Sequence, residues 1–376
     1  VLRDDLNKLT EPVPPKKYRQ HAEFDNDGGT AATGPVRRMV TDYAELLTLA
    51  GLDPTAFRIV GKVQQWTKTH HDREDTYSFF FSFERITAAE DDNALARELA
   101  SQITPVTPVH VEAATGLPMV VAVSDTQIGK EGASPEGIDR LFCRALGRAA
   151  AEVENNRPRI LIIADCGDPI EGITSSAPNQ IATNTLSLDD QLRLWARRLT
   201  QTILTLAPFA GEIHVVSVPS NHGEIRNAAG KIGNGDYGLG VARTVEEAFI
   251  LHGSTIQPVF HYPDAPHEVI TYVPVEDHLI AFFHGHHAKQ PERIPQWVAN
   301  QAASRRSRMR DATITVNGHF HSPSYRYSRG RELVGLPCFD PGSPWFENLT
   351  GEYSNPALTT FSVNDGRVID LRFIEP

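Results

Sequence analysis

The chain has 376 residues, 40% of them hydrophobic and 22% charged, and a formal net charge of −11. Those proportions are ordinary for a soluble globular protein of one large or two smaller domains. No run of about 18 apolar residues exists, which excludes a membrane-spanning helix, and the three scattered cysteines exclude a disulfide framework and fit a reducing compartment, the cytoplasm.

Residues 1–35 are polar and rich in Pro, Gly and Asp, the composition of a flexible arm, and their charged, proline-broken start is not that of a signal peptide. Asp42 to Ala50 reads as a short helix, with Asp42 and Glu45 as capping pair and Gly51 as the stop. Phe57–Trp66 and Tyr77–Ile86 alternate like strands around a turn at His70-His71-Asp72-Arg73. With a helix near Asn93–Gln102 they make a small helix-plus-hairpin module over residues 36–105, and a proline-punctuated linker follows.

From about Leu117 the rhythm changes. Met119–Val123, Arg159–Ala164 and Ile213–Val218 are apolar runs of strand length. Between them, Ser134-Pro135 opens a helix whose face carries Ile138, Leu141, Phe142, Ala145, Leu146, Ala149 and Val153, and Ser187–Leu206 is a second amphipathic stretch. Such strand–helix repetition indicates an α/β layered domain, here residues 115–376. Later segments (Glu268–Val273, Leu279–Phe283, Thr313–Val316, Ser324–Ser328, Thr359–Val363 and Val368–Phe373) are richer in strand.

Each early strand ends in polar chemistry: Asp125-Thr126-Gln127, then Gly167-Asp168-Pro169-Ile170-Glu171, then Ser220-Asn221-His222-Gly223-Glu224. Two later ones run into His284-Gly285-His286 and Gly318-His319-Phe320-His321. In α/β folds ligands sit outside the carboxyl ends of the strands, so these groups are expected to converge. Carboxylate, amide and imidazole donors around one cleft suit a pair of divalent metals.

The order D-x-[H/Q], G-D-x-x-[D/E], N-H-G-[D/E], H-G-H, G-H-x-H resembles the calcineurin-like metallophosphoesterase superfamily over residues 117–345, including the turn Asp340-Pro341-Gly342-Ser343. The resemblance implies a four-layer αββα sandwich of two mixed sheets, to which the small N-terminal α+β module is added. It implies that Asp125, Gln127 and His321 hold one metal, that Asn221, His284 and His319 hold the other, and that Asp168 bridges both; His286 is the alternative to His284. His222 matches the superfamily's non-ligand histidine, which stabilises the transition state or protonates the leaving oxygen, while Glu171 and Glu224 are expected to hydrogen-bond the histidines. The implied chemistry is phosphoester hydrolysis by a metal-bridging hydroxide, with Mn²⁺ the first expectation and Mg²⁺, Fe, Ni or Zn the others. Gln127 is neutral and harder than imidazole, so the first site is expected to be the weaker and to lean toward Mn²⁺ or Mg²⁺.

The net charge argues against nucleic acid, yet residues 289–331 hold nine Lys or Arg against two acids, a local balance of +7. Arg305, Arg306, Arg308 and Arg310, together with Arg326 between Tyr325 and Tyr327, resemble a phosphate-backbone contact surface with aromatic interleaving. The expected activity is therefore DNA cleavage, exo- or endonucleolytic, similar to the SbcD-like repair nucleases and their phage-encoded relatives; a partner ATPase and a homodimer are compatible with that, and a phage enzyme would work in the host cytoplasm. The alternatives are a phosphomonoesterase, a phosphodiesterase of small nucleotides, and a metal-poor scaffold, against which the near-complete donor set argues.

Overall fold

The structure, a computed structural model, describes residues 16–24, 28–40, 42–54, 57–69, 75–85, 94–103, 114–130, 135–173, 184–226, 232–253, 256–265, 267–340 and 355–376. The chain divides into two compact units, Val1–Asp92 and Asn93–Pro376. Among the described residues no helix is long and apolar enough to cross a membrane. Ser134, His70-His71-Asp72-Arg73 and Pro341-Gly342-Ser343 lie outside the described residues.

In the first unit, strands β1 (His21–Phe24), β2 (Gly28–Ala32), β3 (Phe57–Lys68) and β4 (Thr76–Arg85) form one antiparallel sheet in the order β1-β2-β4-β3. Period-2 alternation turns Phe79, Phe81 and Phe83 to one face, where they bury with Ala31, Leu46 and Leu47. The last two come from helix α1 (Tyr43–Leu49), whose N-cap Asp42 accepts from the Ala44 N–H at 3.0 Å. Glu45, expected to complete the cap, pairs with Arg38. His21–Phe24 and Gly28–Ala32, expected as part of a flexible arm, are strands: Ala31 and Ala32 are fully buried, and small side chains there carry no apolar alternation to mark them in the sequence.

Helix α2 (Ala94–Gln102) belongs to the second unit, not to the module expected to reach residue 105, because Ala96, Leu99 and Ile103 pack in that unit's core. Two mixed sheets build this unit. In the first, β5 (Met119–Val123), β6 (Ile160–Asp165), β7 (Glu212–Ser217) and β10 (Val259–His261) are parallel neighbours, and β16 (Leu358–Asn364) and β17 (Arg367–Ile374) extend it antiparallel, in the order β10-β7-β6-β5-β16-β17. In the second, the order is β11 (Ile270–Val275), β12 (His278–Phe283), β13 (Ala312–Asn317), β15 (Arg331–Gly335) and β14 (Ser324–Ser328), with β12, β13 and β15 parallel. The remaining pair, β8 (Glu224–Arg226) and β9 (Ile232–Asp236), is a short antiparallel ribbon.

Alternation along β5 explains the layering. Val120 and Ala122 face the second sheet and bury against a cluster with Ile280, Phe282, Val316 and Phe361. Met119 and Val121 face the other way, in a cluster with α3 (Pro135–Asn156), α4 (Leu188–Leu206) and α5 (Tyr237–His252), represented by Phe142, Leu199 and Val245. On the far side, Leu279, Ala281 and Phe283 pack with Ile294 and Val298 of α6 (Ile294–Ala303). The result is helices, sheet, sheet, helix: the four-layer αββα sandwich of two mixed sheets. Each fully buried Leu, Ile, Val or Phe contributes roughly 1.5–3 kcal/mol to that packing.

Candidate metal centre

The parallel strands β5, β6 and β7 of one sheet and β12 and β13 of the other run out toward the same set of loops. These loops are laced together: Cys166 N–H donates to Val123 O and Asp125 N–H to Gly167 O, both at 2.9 Å, and Gln127 N–H to Asp168 O at 3.1 Å. Five residues of the expected donor set adopt left-handed backbone, Asp125 (φ 53°), Gln127 (φ 39°), Asp168 (φ 50°), His319 (φ 75°) and His321 (φ 56°). Such conformations cost roughly 1–3 kcal/mol each outside glycine and persist where the surroundings over-determine them. Gly167 (φ 95°) is required as glycine on two counts, since a Cβ there would lie 2.7 Å from His284 Nδ1.

Asp125 and Asp168 are the centre of the constellation, both essentially fully buried. Asp125 Oδ2 accepts from Ser124 Oγ–H and, at 2.9 Å, from the His319 N–H; its Oδ1 is 3.2 Å from His321 Nε2. Asp168 Oδ1 accepts from the His222 N–H at 2.9 Å, and its Oδ2 is 2.9 Å from His284 Nε2. His284 Nδ1 is 2.9 Å from Cys166 O, which fixes the ring with Nε2 facing the carboxylate. His284 Nε2 also lies 4.0 Å from Asp125 Oδ1, so one imidazole spans both carboxylates.

Electrostatics follow from burial and pairing. Burial raises the Asp125 carboxyl, but His321 and His284 outweigh it and hold it at about 2. Burial likewise opposes Asp168, and His284 and His222 bring it well below the ordinary carboxylate range. Burial lowers His284, yet Asp168 and Asp125 lift it to about 9, and His321 rises well above its usual value beside Asp125 against the same burial penalty. His319 falls to about 4 and His286 to about 2, from burial first and neighbouring imidazoles second. The centre thus pairs two anionic carboxylates with two protons held on imidazoles, positions where a cation substitutes for a proton.

The donors fit such a cation. One atom each of Asp168, His284 and His319 lies within 4.8 Å of the others. Asn221 Oδ1 is buried with no hydrogen-bond partner, an orphan that a cation would satisfy. Carboxylate oxygen, amide oxygen and imidazole nitrogen together suit Mn, Fe, Ni or Zn.

Other expected residues are placed as follows. His222 Nδ1 is 2.8 Å from Glu171 O and its Nε2 is 3.9 Å from Asp168 Oδ2. The Glu171 carboxylate stands 3.6 Å from His222 Nδ1, beyond hydrogen-bond length, and burial raises its pKa. Glu224 Oε1 lies 3.8 Å from His286 Nε2. Gln127 differs most from expectation: its amide oxygen accepts from Lys130 Nζ at 2.7 Å. Lys130 also pairs with Asp340. Ser124 and Lys130 belong to none of the motifs, and Asp340 enters only as the start of the turn after the last histidines; the one signal for Lys130 is its proximity to Gln127 in Gln127-Ile128-Gly129-Lys130.

Of the basic residues, Arg305, Arg306 and Arg326 are exposed. Arg308 and Arg310 are exposed as well, but partnered: Arg308 stands 3.7 Å from Asp264 and 5.4 Å from the Tyr272 ring centre, and Arg310 donates to Ser304 O and Arg305 O at 3.1 Å. A cavity of about 580 Å³ is lined by Ser220, Glu224, Asp236, Arg243, His286 and Asp264, among others, the last being the partner of Arg308.

No protein-family model and no curated protein sequence matches the chain. Among solved structures it is similar to a conserved uncharacterized protein of Streptococcus pneumoniae TIGR4 described as a predicted phosphoesterase, at 11% identity over 68% of this chain and 88% of that one, TM-score 0.32. It is similar to an archaeal phosphodiesterase at 9% identity over 68% and 99%, TM-score 0.33. A third similarity is to wild-type Vps29 of Entamoeba histolytica complexed with Zn²⁺, at 13% identity over 68% and 98%, TM-score 0.29.

Proposed function

We propose that the chain is a metal-dependent phosphoesterase of the calcineurin-like superfamily, and more narrowly a phosphodiesterase acting on DNA. The observation that carries the first part is the convergence of Asp125, Asp168, His284, His319 and His321, four of them on left-handed backbone. Asp168 with Asn221, His284 and His319 would hold one cation, and Asp168 with Asp125, Gln127 and His321 the other. When bound, such cations polarise phosphoryl oxygens and bring the pKa of water toward neutrality.

The chain's own groups do the rest. A proton on His222 Nδ1 satisfies the Glu171 carbonyl, which leaves Nε2 free to exchange a proton with a leaving oxygen. The His222 N–H on Asp168 Oδ1 ties that ring's position to the central carboxylate. Ser124 and the His319 N–H orient Asp125 in the same way.

DNA as substrate is supported by exposed Arg305, Arg306 and Arg326 and by the half-exposed rings of Tyr325 (49%) and Tyr327 (63%). One observation favours a small phosphoester instead: the cavity carries Glu224, Asp236, Asp264 and Glu268 against Arg243, an acidic lining for a polyanion. A parallel assay separates the two. With MnCl₂, the chain is expected to cleave DNA and a chromogenic diester, and charge reversal at Arg305, Arg306 and Arg326 to slow DNA cleavage about tenfold or more while sparing the diester. Equal loss on both rejects the DNA surface; turnover of a monoester alone rejects the diesterase.

A further inference from the structure

Lys130 sits where an added positive charge matters. Its ammonium donates to Gln127 Oε1 at 2.7 Å and pairs with Asp340; the two side chains are only 17% and 5% exposed. Its charge also acts on the buried Glu171 carboxyl beside His222. The loop that carries it is tied down: Lys130 N–H donates to Gln127 O at 3.1 Å, and Gly129 O accepts from Thr185 N–H at 2.8 Å.

Two consequences follow for the donor set. Gln127 is a neutral ligand whose oxygen is already bound to a cation, so a dication on the same oxygen faces an ammonium across it. Lys130 and Asp340 neutralise each other, which leaves Asp125 and Asp168 as two negative charges, enough to balance one dication and not two. The other group of donors, Asp168, Asn221, His284 and His319, has no such neighbour among its described contacts.

We propose that Lys130 disfavours the second ion: its ammonium occupies the Gln127 oxygen and cancels the Asp340 carboxylate that would otherwise help balance a second dication. The chain then loads one divalent ion tightly, on Asp168, Asn221, His284 and His319, and a second only weakly, on Asp125, Gln127 and His321. This rests on the metal reading of the preceding subsection.

Manganese alone tests it. The full chain, stripped with EDTA and dialysed, is titrated with MnCl₂ by calorimetry and by electron paramagnetic resonance. Wild type is expected to bind one tight equivalent with the spectrum of an isolated ion. Lys130→Met and Lys130→Gln remove the charge, and each is expected to bind the second equivalent about 10- to 100-fold more tightly and to show a spin-coupled pair. Lys130→Arg keeps the charge and is expected to behave as wild type. Two ions bound to wild type within about tenfold of each other, or neutral variants that load like wild type, overturn the role of Lys130 and leave the metal centre standing. No manganese bound to wild type overturns the metal reading itself, and this role with it.

Discussion

Gly318 lies between β13 and the two histidines, and replacing it with alanine tests how tightly the centre is assembled. A Cβ at this position would lie 1.7 Å from Ser124 Oγ, 2.7 Å from Ser124 Cβ and 2.8 Å from Asp125 Oδ2. Ser124 and the 318–319 backbone must therefore part by more than 1 Å. That breaks the Ser124 Oγ–H bond to Asp125 and displaces the His319 N–H, now 2.9 Å from the same oxygen. Hydrogen bonds to a buried charged group are worth roughly 1.5–3 kcal/mol each, so losing both costs roughly 3–6 kcal/mol. At roughly 2–4 °C per kcal/mol for a domain of this size, Gly318→Ala should melt roughly 6–24 °C lower by calorimetry. Ser124→Gly removes both clashing atoms of Ser124, so the double variant should melt above Gly318→Ala alone, a non-additive result. A Gly318→Ala melting point within about 2 °C of wild type, or strict additivity with Ser124→Gly, would refute the reasoning.

Further expectations are independent of that one. His222→Ala should lower kcat about 10²- to 10⁴-fold with manganese stoichiometry unchanged, since the ring contacts Glu171 O and stands outside the donor set; lost metal would reassign it as a ligand. Phe361, fully buried between the two sheets, should cost roughly 3–5 kcal/mol on truncation to alanine in urea unfolding; less than about 1 kcal/mol would contradict the double-sheet core. His214 Nδ1 and His261 Nε2 are 2.8 Å apart on the neighbouring strands β7 and β10, the second of which is the sheet edge. Burial lowers both, and the neighbouring imidazole helps bring His261 to about 4. The unfolded chain then binds more protons below pH about 6.5, so the stability these rings contribute is full above that pH and falls toward pH 4. His261→Gln should lose less stability than wild type between pH 7.5 and 5; a steeper loss would reverse the assigned sign.

Much of the second unit can be read from the chain because its strands alternate or run apolar over their whole length. Leu279–Phe283 and Ser324–Ser328 were expected close to where β12 and β14 stand. β15 was missed: it follows the tight Arg329-Gly330 turn, both residues at positive φ, and its Arg331-Glu332-Leu333 start hides an apolar inner face. α5 was missed as well, since Gly238 and Gly240 weaken the helical signal at its start and only packing of Val241, Val245 and Phe249 secures it. For the centre, motif order located Asp125, Asp168, His284, His319 and His321. What no motif could supply is the left-handed backbone that aims several of them, or the contact of Lys130 with Asp340, residues 210 positions apart.

The central claim is that these side chains hold divalent ions. Crystals of the chain soaked in MnCl₂ and measured at the manganese absorption edge test it most directly. The account predicts an anomalous peak bonded to Asp168, Asn221, His284 and His319. Full manganese occupancy of the crystal elsewhere, with Asp168 still hydrogen-bonded to His284 and no peak between them, would contradict it.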